Sequence, residues 1–265
     1  MAFTISTLDC PNKLKQKLKD SVGISTITDE NQINGQTLFY INLEKIDYNV
    51  NLKENLANII AEIIIDKLEN KLIDKIIDRD YSNKFNKEEQ ERIKKFTLEH
   101  LEMENQNSSK MVRKKEIVNQ IFNYLDQHNN LNIEGFVRFR LKDYINRLKL
   151  AVEKSVDDYI IDKEYNEFVK LLQYFVDLQE PRINQVNVIK EKDCFKLLDA
   201  QKRDINSQYL ENCIQDYMDE DVESEDLLIS ALINLSPSTI ILHFDDEEVE
   251  ETLRNIFGDR IIIKS

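Results

Sequence analysis

Arginine and phenylalanine alternate in the run GFVRFRL, which begins at Gly135, and these residue types suit binding chemistry. A guanidinium group binds a carboxylate or a phosphate through two parallel hydrogen bonds, and an aromatic ring stacks on a base or fills a pocket. The candidate interaction surface comprises the basic and aromatic side chains of this run and the residues after it, namely Phe136, Arg138, Phe139, Arg140, Lys142 and Arg147. On a helix, Phe136, Val137 and Phe139 also suit a role as core anchors, so both interpretations stay open.

This run lies inside a basic segment of an acidic protein. Residues 110–154 contain ten lysines and arginines against five acids, a net charge of +5, whereas the whole chain carries −14. The overall charge disfavours nucleic acid or an anionic membrane as a partner of the whole surface, but it leaves a local basic patch open. Three uses compete: contact with another protein or a second copy of the chain, contact with nucleic acid, and ion pairs inside the fold with the acidic runs Asp216–Asp226 and Asp245–Glu251.

The acidic run HFDDEEVEE, residues 243–251, places His243 and Asp245 near the end of a predicted strand. A metal site requires three or four converging ligands, and the sequence shows only neighbours. Carboxylates in the first turn of a helix interact favourably with the helix dipole, so we expect a helix to begin here with Asp245 or Asp246 as its cap. We therefore predict no metal ligand and no cofactor.

No motif of nucleophilic catalysis or phosphate binding is present. The chain lacks GxSxG, a Walker-type glycine loop, CxxC and HExxH, and it contains only four glycines. Neither the pair Glu99-His100 nor His128 has a nucleophile at a recognisable spacing. We predict no catalytic residue, although a site assembled from scattered residues stays open as a hypothesis.

The composition favours a cytoplasmic protein. Three widely spaced cysteines, Cys10, Cys194 and Cys213, indicate reduced thiols and not a disulfide framework. The N-terminal residues lack the basic start and apolar core of a signal peptide. The longest apolar run, Ile59–Ile65, is interrupted by Glu62 and falls far short of the roughly 20 residues of a membrane span.

Long amphipathic helices are predicted for the middle of the chain, because apolar residues recur there at spacings of three and four. The predicted helices are Leu52–Asp78, Lys87–Met103, Ser109–Leu125 and Glu134–Leu178. In the last of these the apolar spacing changes phase at Ile161–Glu164, so we expect a bend or two abutting helices there.

Both ends of the chain mix short strands and helices. The N-terminal part predicts strands at Phe3–Leu8, Ile24–Thr28 and Leu38–Leu43, a helix at Asn12–Val22 and a turn at Asn34-Gly35. The C-terminal part predicts a hairpin from Val186–Ile189 and Phe195–Leu198, helices at Ser207–Met218 and Asp226–Leu235, and a final β-α-β unit from Thr239–Phe244, Val249–Phe257 and Arg260–Ile263.

The predicted fold class is therefore α+β, with a predominantly helical middle flanked by small mixed segments. We place the segments at residues 1–50, 51–181 and 182–265. One sheet shared by the two flanks, against which the helices pack, is an arrangement that this pattern allows.

Three stretches resemble the YtxC-like family, a family assigned to sporulation in endospore-forming bacteria. They are NIEGFVRFRLKDY from Asn132, EYNEFVKLLQYFVDLQEPRI from Glu164, and SPSTIILHFDDEEVEETLRNIFGDRI from Ser236. The resemblance extends from about Leu52 onward and is strongest over Ile133–Val188. It implies an association with sporulation, a cytoplasmic location and no established biochemical activity, and it supplies no catalytic residues.

We therefore predict a sporulation-associated, non-enzymatic protein that acts through protein–protein interaction in a structural or regulatory role. Its partner is an unknown protein, and a homo-oligomer is also open. One alternative is a regulator that binds nucleic acid through the basic helix surface of residues 110–154, and another is an enzyme with an unrecognised site.

Overall fold

The computed structural model describes residues 2–22, 27–33, 35–42, 52–103, 109–192, 194–205 and 224–263. The fold is α+β, and the chain divides into two compact units, residues 1–161 and 162–265. The predicted helix Ser207–Met218, the thiol of Cys213 and most of the acidic run Asp216–Asp226 lie outside the described residues.

A four-stranded sheet in the first unit has the order β2–β3–β1–β4. Its strands and the first helix are β1 (Ala2–Thr7), α1 (Pro11–Val22), β2 (Ile27–Ile33), β3 (Gln36–Asn42) and β4 (Asn130–Asn132). Strand β3 pairs antiparallel with both β1 and β2, whereas β4 joins β1 in parallel. The predicted turn contains Gly35 with φ of +80°, a left-handed conformation that favours glycine.

Helices form most of the remainder of the first unit. They are α2 (Leu52–Ile63), α3 (Glu69–Tyr81), α4 (Lys87–Met103), α5 (Ser109–Gln127), α6 (Ile133–Arg140) and α7 (Lys142–Leu178), the last of which continues into the second unit. A π-helical turn, Ile64–Leu68, joins α2 to α3 within the predicted helix Leu52–Asp78. Within this turn Ile64, Ile65 and Leu68 are buried.

One hydrophobic core joins the N-terminal strands to these helices. Phe3 and Phe39 of the sheet belong to the same buried cluster as Leu14 of α1 and Ile60 of α2. Residues 2–42 thus share a core with the helices of residues 52–161, and the division between units differs from the predicted segments 1–50 and 51–181. The strands described at the two ends of the chain form two separate sheets, so they do not share one.

The second unit has its own sheet, of order β6–β5–β7–β8. Its elements are β5 (Ile183–Glu191), β6 (Cys194–Leu198), α8 (Ser224–Leu235), β7 (Pro237–Leu242), α9 (Glu247–Phe257) and β8 (Ile261–Ile263). The antiparallel pair β5–β6 confirms the predicted hairpin, and the parallel pair β7–β8 around α9 confirms the β-α-β ending. Strands β5 and β7 are also parallel.

Helix α7 is continuous through Ile161–Glu164, so the two abutting helices that the sequence allowed there are wrong. The helical path breaks instead at Leu141, whose φ of −94° and ψ of 45° end α6. The change of phase has another origin: Tyr159 belongs to the core of the first unit, whereas Val169 and Val176 belong to that of the second. A helix that contributes to two cores changes its buried face along its length. Neither α7 nor any other helix in the described ranges is both long and apolar enough to span a membrane.

Candidate interaction surface

The GFVRFRL run forms helix α6, and its first turn depends on a close contact at Gly135. The side-chain Oδ1 of Asn132 accepts a hydrogen bond of 2.7 Å from the backbone N–H of Gly135, which caps the helix. A Cβ atom at position 135 would lie 2.9 Å from that Oδ1, too close for an undisturbed contact. Glycine is thus the residue that lets the cap approach the backbone.

Helix α6 is also tied to the first sheet through Glu134. Its Oε1 accepts hydrogen bonds from Thr7 Oγ1 at 2.6 Å, Leu8 N at 3.0 Å and Asp9 N at 3.1 Å. The cap residue adds a second link, since Asn132 Nδ2 donates to Ser6 Oγ at 3.0 Å. The helix that carries the arginines is therefore anchored at its N-terminal end to the last residues of β1 and the loop after it.

Four of the six residues in the candidate surface are exposed to solvent. Arg138, Phe139, Arg140 and Lys142 are exposed, and Phe139 leaves 65% of its surface open to solvent. The core-anchor interpretation is therefore wrong for Phe139. It is right for Phe136, which is 5% exposed, so that this ring is no part of the outer surface.

The arginines lie beside aromatic rings. The guanidinium carbon of Arg138 is 5.4 Å from the ring centroid of Phe139, and that of Arg140 is 5.7 Å from the ring centroid of Tyr124. Both distances are within the range of cation–π attraction. Across the described ranges neither of these arginines forms an ion pair.

Two adjoining hollows, each about 340 Å³, lie beside α6 and share Tyr124, Phe136 and Arg140. The Phe136 ring meets Tyr124 edge-on at 5.3 Å, and Tyr124 stacks on His128 at 4.3 Å with an interplanar angle of 5°. Side-chain amides contribute the other polar groups of the lining, those of Gln120, Asn123, Gln127 and Asn132. No aspartate or glutamate lines either hollow in the described part of the chain. The surroundings of Arg140 thus favour a ligand that brings its own negative charge.

Sequence reasoning missed the α5 contribution to this surface. Tyr124 and His128 precede the GFVRFRL run by more than six residues, and His128 stands alone in the sequence. The available signal was their spacing of four at the end of a predicted helix, which places two rings on one face. Only the packing of α6 against the end of α5 brings these rings to Phe136.

The remaining basic residues of the 110–154 segment differ from the two arginines because many of them pair with acids of the same unit. Arg147 lies 3.2 Å from Glu116, Lys110 lies 2.9 Å from Asp66, and Lys114 lies 2.5 Å from Glu62. The expected use in ion pairs inside the fold therefore applies to these side chains, although with acids outside the two predicted runs. Arg147 of the candidate surface consequently does not join Arg138 and Arg140, and Lys142 does not line the hollows.

Arg113, another basic residue of this segment, forms a buried ion pair with Glu69. Arg113 Nε and Nη2 each lie 3.2 Å from a carboxylate oxygen of Glu69, and Arg113 Nη1 donates to the Leu101 carbonyl at 2.5 Å. The hydroxyl of Tyr144 donates to Glu69 Oε2 at 2.7 Å. Burial, with the neighbouring charge of Glu69, raises the pKa of Tyr144 far above its ordinary value, so that the hydroxyl stays a donor.

The acidic run of residues 243–251 forms a helix cap. Asp246 accepts a hydrogen bond from Val249 N and pairs with Lys190 at 2.5 Å, contacts that lower the pKa of Asp246. His243 Nε2 lies 3.0 Å from Asn187 Oδ1. In the described ranges, no three side chains of His, Cys, Asp or Glu come together as metal ligands. The prediction of Asp245 or Asp246 as the cap is confirmed for Asp246.

The two described thiols differ in exposure. Cys10 is buried, and burial raises the pKa of its thiol, whereas Cys194 is exposed. Neither forms a disulfide within the described residues. A raised pKa leaves Cys10 in its thiol form, which is the poorer nucleophile.

Comparison with known proteins assigns the family. The sequence model of the YtxC-like family matches residues 54–262, which is well over half of the chain. This chain belongs to the YtxC-like family. The resemblance based on the three stretches is thereby confirmed.

A relative in this family comes from Bacillus subtilis (strain 168) and has the name "Uncharacterized protein YtxC". The two sequences are 25% identical over 156 residues, which cover 57% of this chain and 54% of the relative. The match thus spans about half the length of that relative. No solved structure matches this chain.

Proposed function

We propose that this YtxC-like protein is a cytoplasmic, sporulation-associated protein that binds a carboxylate-bearing segment of another protein through Arg138, Phe139 and Arg140. The single observation that carries the proposal is an exposed phenylalanine between two arginines that lack an acidic partner in the described residues. The resemblance to a family assigned to sporulation supports the biological setting.

The chemistry of the surface favours a protein partner. Arginine and aromatic side chains are enriched among the residues that dominate binding energy at protein interfaces. Phe139 has a large apolar area to bury, and each guanidinium group binds a carboxylate in a bidentate fashion. The Arg140 group is held beside Tyr124 before any partner binds, which lowers the entropy lost on binding.

Nucleic acid is the second candidate, because the same arginine–aromatic combination stacks on bases and binds phosphates. Lys110, Lys114 and Arg147 pair with acids of the same unit, so three cations of the basic segment are already neutralised. This pairing argues against nucleic acid as the partner. A chain of net charge −14 also repels a polyanion over most of its surface. The protein partner is therefore the better supported of the two.

The test is affinity capture from sporulating cells of an endospore-forming bacterium, with the wild type compared with the double variant Arg138→Ala plus Arg140→Ala. The matched control is Lys115→Ala plus Lys154→Ala, which removes two exposed charges from the same segment outside the hollows. We expect a specific partner to be lost from the arginine variant and from Phe139→Ala, and to be retained by the control.

An unchanged set of partners in the arginine variant would contradict the proposal. The nucleic-acid alternative has its own measurement, the retardation of DNA and RNA fragments in gels at low and high salt. Retardation at low salt that disappears in Arg138→Ala plus Arg140→Ala would favour nucleic acid over protein.

A further inference from the structure

The last part of α7, from Phe168 to Leu178, exposes large apolar side chains on a face that the other described residues of its unit leave uncovered. The exposed fractions are 56% for Phe168, 63% for Leu171, 62% for Tyr174, 52% for Phe175 and 66% for Leu178. The opposite face of the same turns is buried, because Val169 and Val176 belong to the second core. This segment therefore has two apolar faces, and only one of them packs against the core formed by the described residues of the unit.

The exposed side chains follow the spacing of a helix–helix interface. Phe168, Leu171, Phe175 and Leu178 are separated by three, four and three residues, which is the a/d pattern of paired helices. At 100° per residue, the charged side chains within this segment, Lys170 and Asp177, point about 120° or more away from the centre of the apolar stripe. The stripe is thus continuous and uncharged.

The spacing is also the same when it is followed from either end. In two antiparallel copies of this helix, Phe168 of one faces Leu178 of the other, and Leu171 faces Phe175. Each large ring then meets an aliphatic side chain, and the four side chains occupy positions from which they can pack as knobs into holes. A surface that complements itself under a two-fold rotation is the property of an isologous dimer interface, the commonest kind among homo-oligomers.

The exposed area agrees with such an interface. A large apolar side chain offers about 200 Å² when fully exposed, so these five side chains together offer on the order of 600 Å² per chain. A standard protein interface buries about 800 Å² per partner, and its lower limit is about 600 Å². An apolar patch of this size lies at the upper end of what monomeric proteins leave exposed.

We propose that Phe168, Leu171, Phe175 and Leu178 form the antiparallel, two-fold symmetric interface of a homodimer. The occupant of this face is the α7 helix of a second copy. Tyr174 lies at the edge of the stripe and closes one side of the interface. This dimer does not involve the surface around Arg138 and Arg140, so each proposal stands or fails separately.

Sedimentation equilibrium over a wide range of protein concentration tests the dimer. We expect the wild type to reach twice the mass of one chain, and Phe168→Glu plus Phe175→Glu to remain a monomer. The control Gln173→Glu adds a charge at an exposed polar position of the same helix and is expected to leave the dimer intact. Circular dichroism and thermal unfolding establish that each variant is folded.

A second variant, Leu171→Glu plus Tyr174→Glu, serves if the first does not fold, because these two side chains are farther from Val169 and Val176 around the helix. A wild type that sediments as one chain at every concentration would overturn the proposal. So would a dimer that persists in either folded glutamate variant, since the interface would then lie elsewhere.

The orientation has a separate readout through cross-linking in a background without native cysteines. Chains with Leu171→Cys are mixed with chains that carry Phe175→Cys and then oxidised. The antiparallel dimer predicts that the mixed disulfide forms faster than either symmetric one. Faster formation of both symmetric disulfides would indicate parallel helices and contradict the proposed antiparallel orientation.

Discussion

Arg113 and Arg140 belong to the same basic segment of the sequence, yet the structure gives them opposite environments. Arg113 is 4% exposed and donates hydrogen bonds to Glu69 and to a backbone carbonyl. Arg140 is exposed, lies over Tyr124 and borders two hollows without a carboxylate in their described lining. The guanidinium group of Arg113 therefore stabilises the fold, whereas that of Arg140 is accessible to a ligand.

Because Arg113 and Arg140 have such different environments, the net charge of a segment does not by itself identify a binding surface. What separates the two groups is the distribution of acids in space, because Glu62, Asp66 and Glu69 come from one helical region that packs near the beginning of α5. The end of α5 and helix α6 have no such neighbours among the residues around the hollows. Three predictions test this contrast.

The largest effect is expected for Arg113→Ala. Its removal leaves the buried carboxylate of Glu69 without its cation, and breaking a buried ion pair costs about 3–5 kcal/mol of unfolding free energy. In contrast, Arg138→Ala plus Arg140→Ala is expected to change stability by no more than about 0.5 kcal/mol, as is usual for exposed side chains. Urea unfolding of the three proteins measures both values.

A control for the buried pair replaces both charges. Arg113→Met combined with Glu69→Leu removes the unpaired carboxylate and is expected to recover most of the stability lost in Arg113→Ala. Tyr144→Phe is added to this variant so that no buried hydroxyl is left without an acceptor. Equal losses for Arg113→Ala and the exposed arginine pair would remove the distinction between the two environments.

A smaller effect is expected for Gly135→Ala, and its sign depends on Asn132. In the wild type the new methyl group displaces the capping oxygen, and loss of an N-cap costs about 1 kcal/mol. In an Asn132→Ala background that oxygen is absent, so the same change is expected to stabilise α6, because alanine favours a helix over glycine by up to about 1 kcal/mol.

A double-mutant cycle in urea measures this dependence. Destabilisation of the same size in both backgrounds would show that the close contact at Gly135 is not with the cap.

Because α6 carries Arg138 and Arg140, the single variant Gly135→Ala also tests whether the cap is required to position the binding surface. Reduced partner capture is the expected result.

The smallest effect concerns acid stability and Glu62, which accepts hydrogen bonds from Lys114 and Lys17. These bonds, that of Lys114 first, hold the pKa of Glu62 below its ordinary value of 4.5. A carboxyl group with a lowered folded pKa stabilises the protein above its unfolded pKa, and this contribution is lost as the pH falls through the folded value. Solvent screens this half-exposed group, so the change is modest.

Urea unfolding at a series of pH values below neutrality measures the acid effect. We expect stability to decline as the pH falls below about 4.5 and the decline to be shallower in Glu62→Gln. The variant Arg138→Ala plus Arg140→Ala is expected to keep the slope of the wild type, since these arginines pair with no acid among the described residues. A wild-type slope in Glu62→Gln would contradict a role for this carboxylate.

Regular periodicity made much of the fold predictable. The helix Lys87–Met103 was predicted with the bounds that the structure has, and the hairpin and the β-α-β unit of the C-terminal part were predicted from alternating and helical spacing. These elements bury one face against one core, so their apolar pattern contains the necessary information. The N-cap at Asp246 was predictable for a similarly local reason.

The incorrect predictions concern helices that pack against more than one neighbouring part of the fold. The phase change in α7 indicates two cores in one continuous helix, whereas the spacing alone predicts a bend or two abutting helices there. In the same way, Phe136 and Phe139 occur three residues apart on one helix, yet one is buried beside Tyr124 and the other is exposed. Spacing identifies the face of a helix, but it does not say how far the neighbouring element extends over that face.

By itself the sequence determined the family, the α+β class, most helices and strands and the location of the basic segment, because these depend on local propensity, periodicity and a short distinctive run. Only the tertiary structure decided which cations are paired, which aromatic rings meet around Arg140 and which face of α7 is exposed among the described residues. These outcomes depend on contacts between residues distant in the chain. Whether a side chain is buried or paired depends on every residue that lies near it in space, and the spacing of residues along the chain does not specify those neighbours.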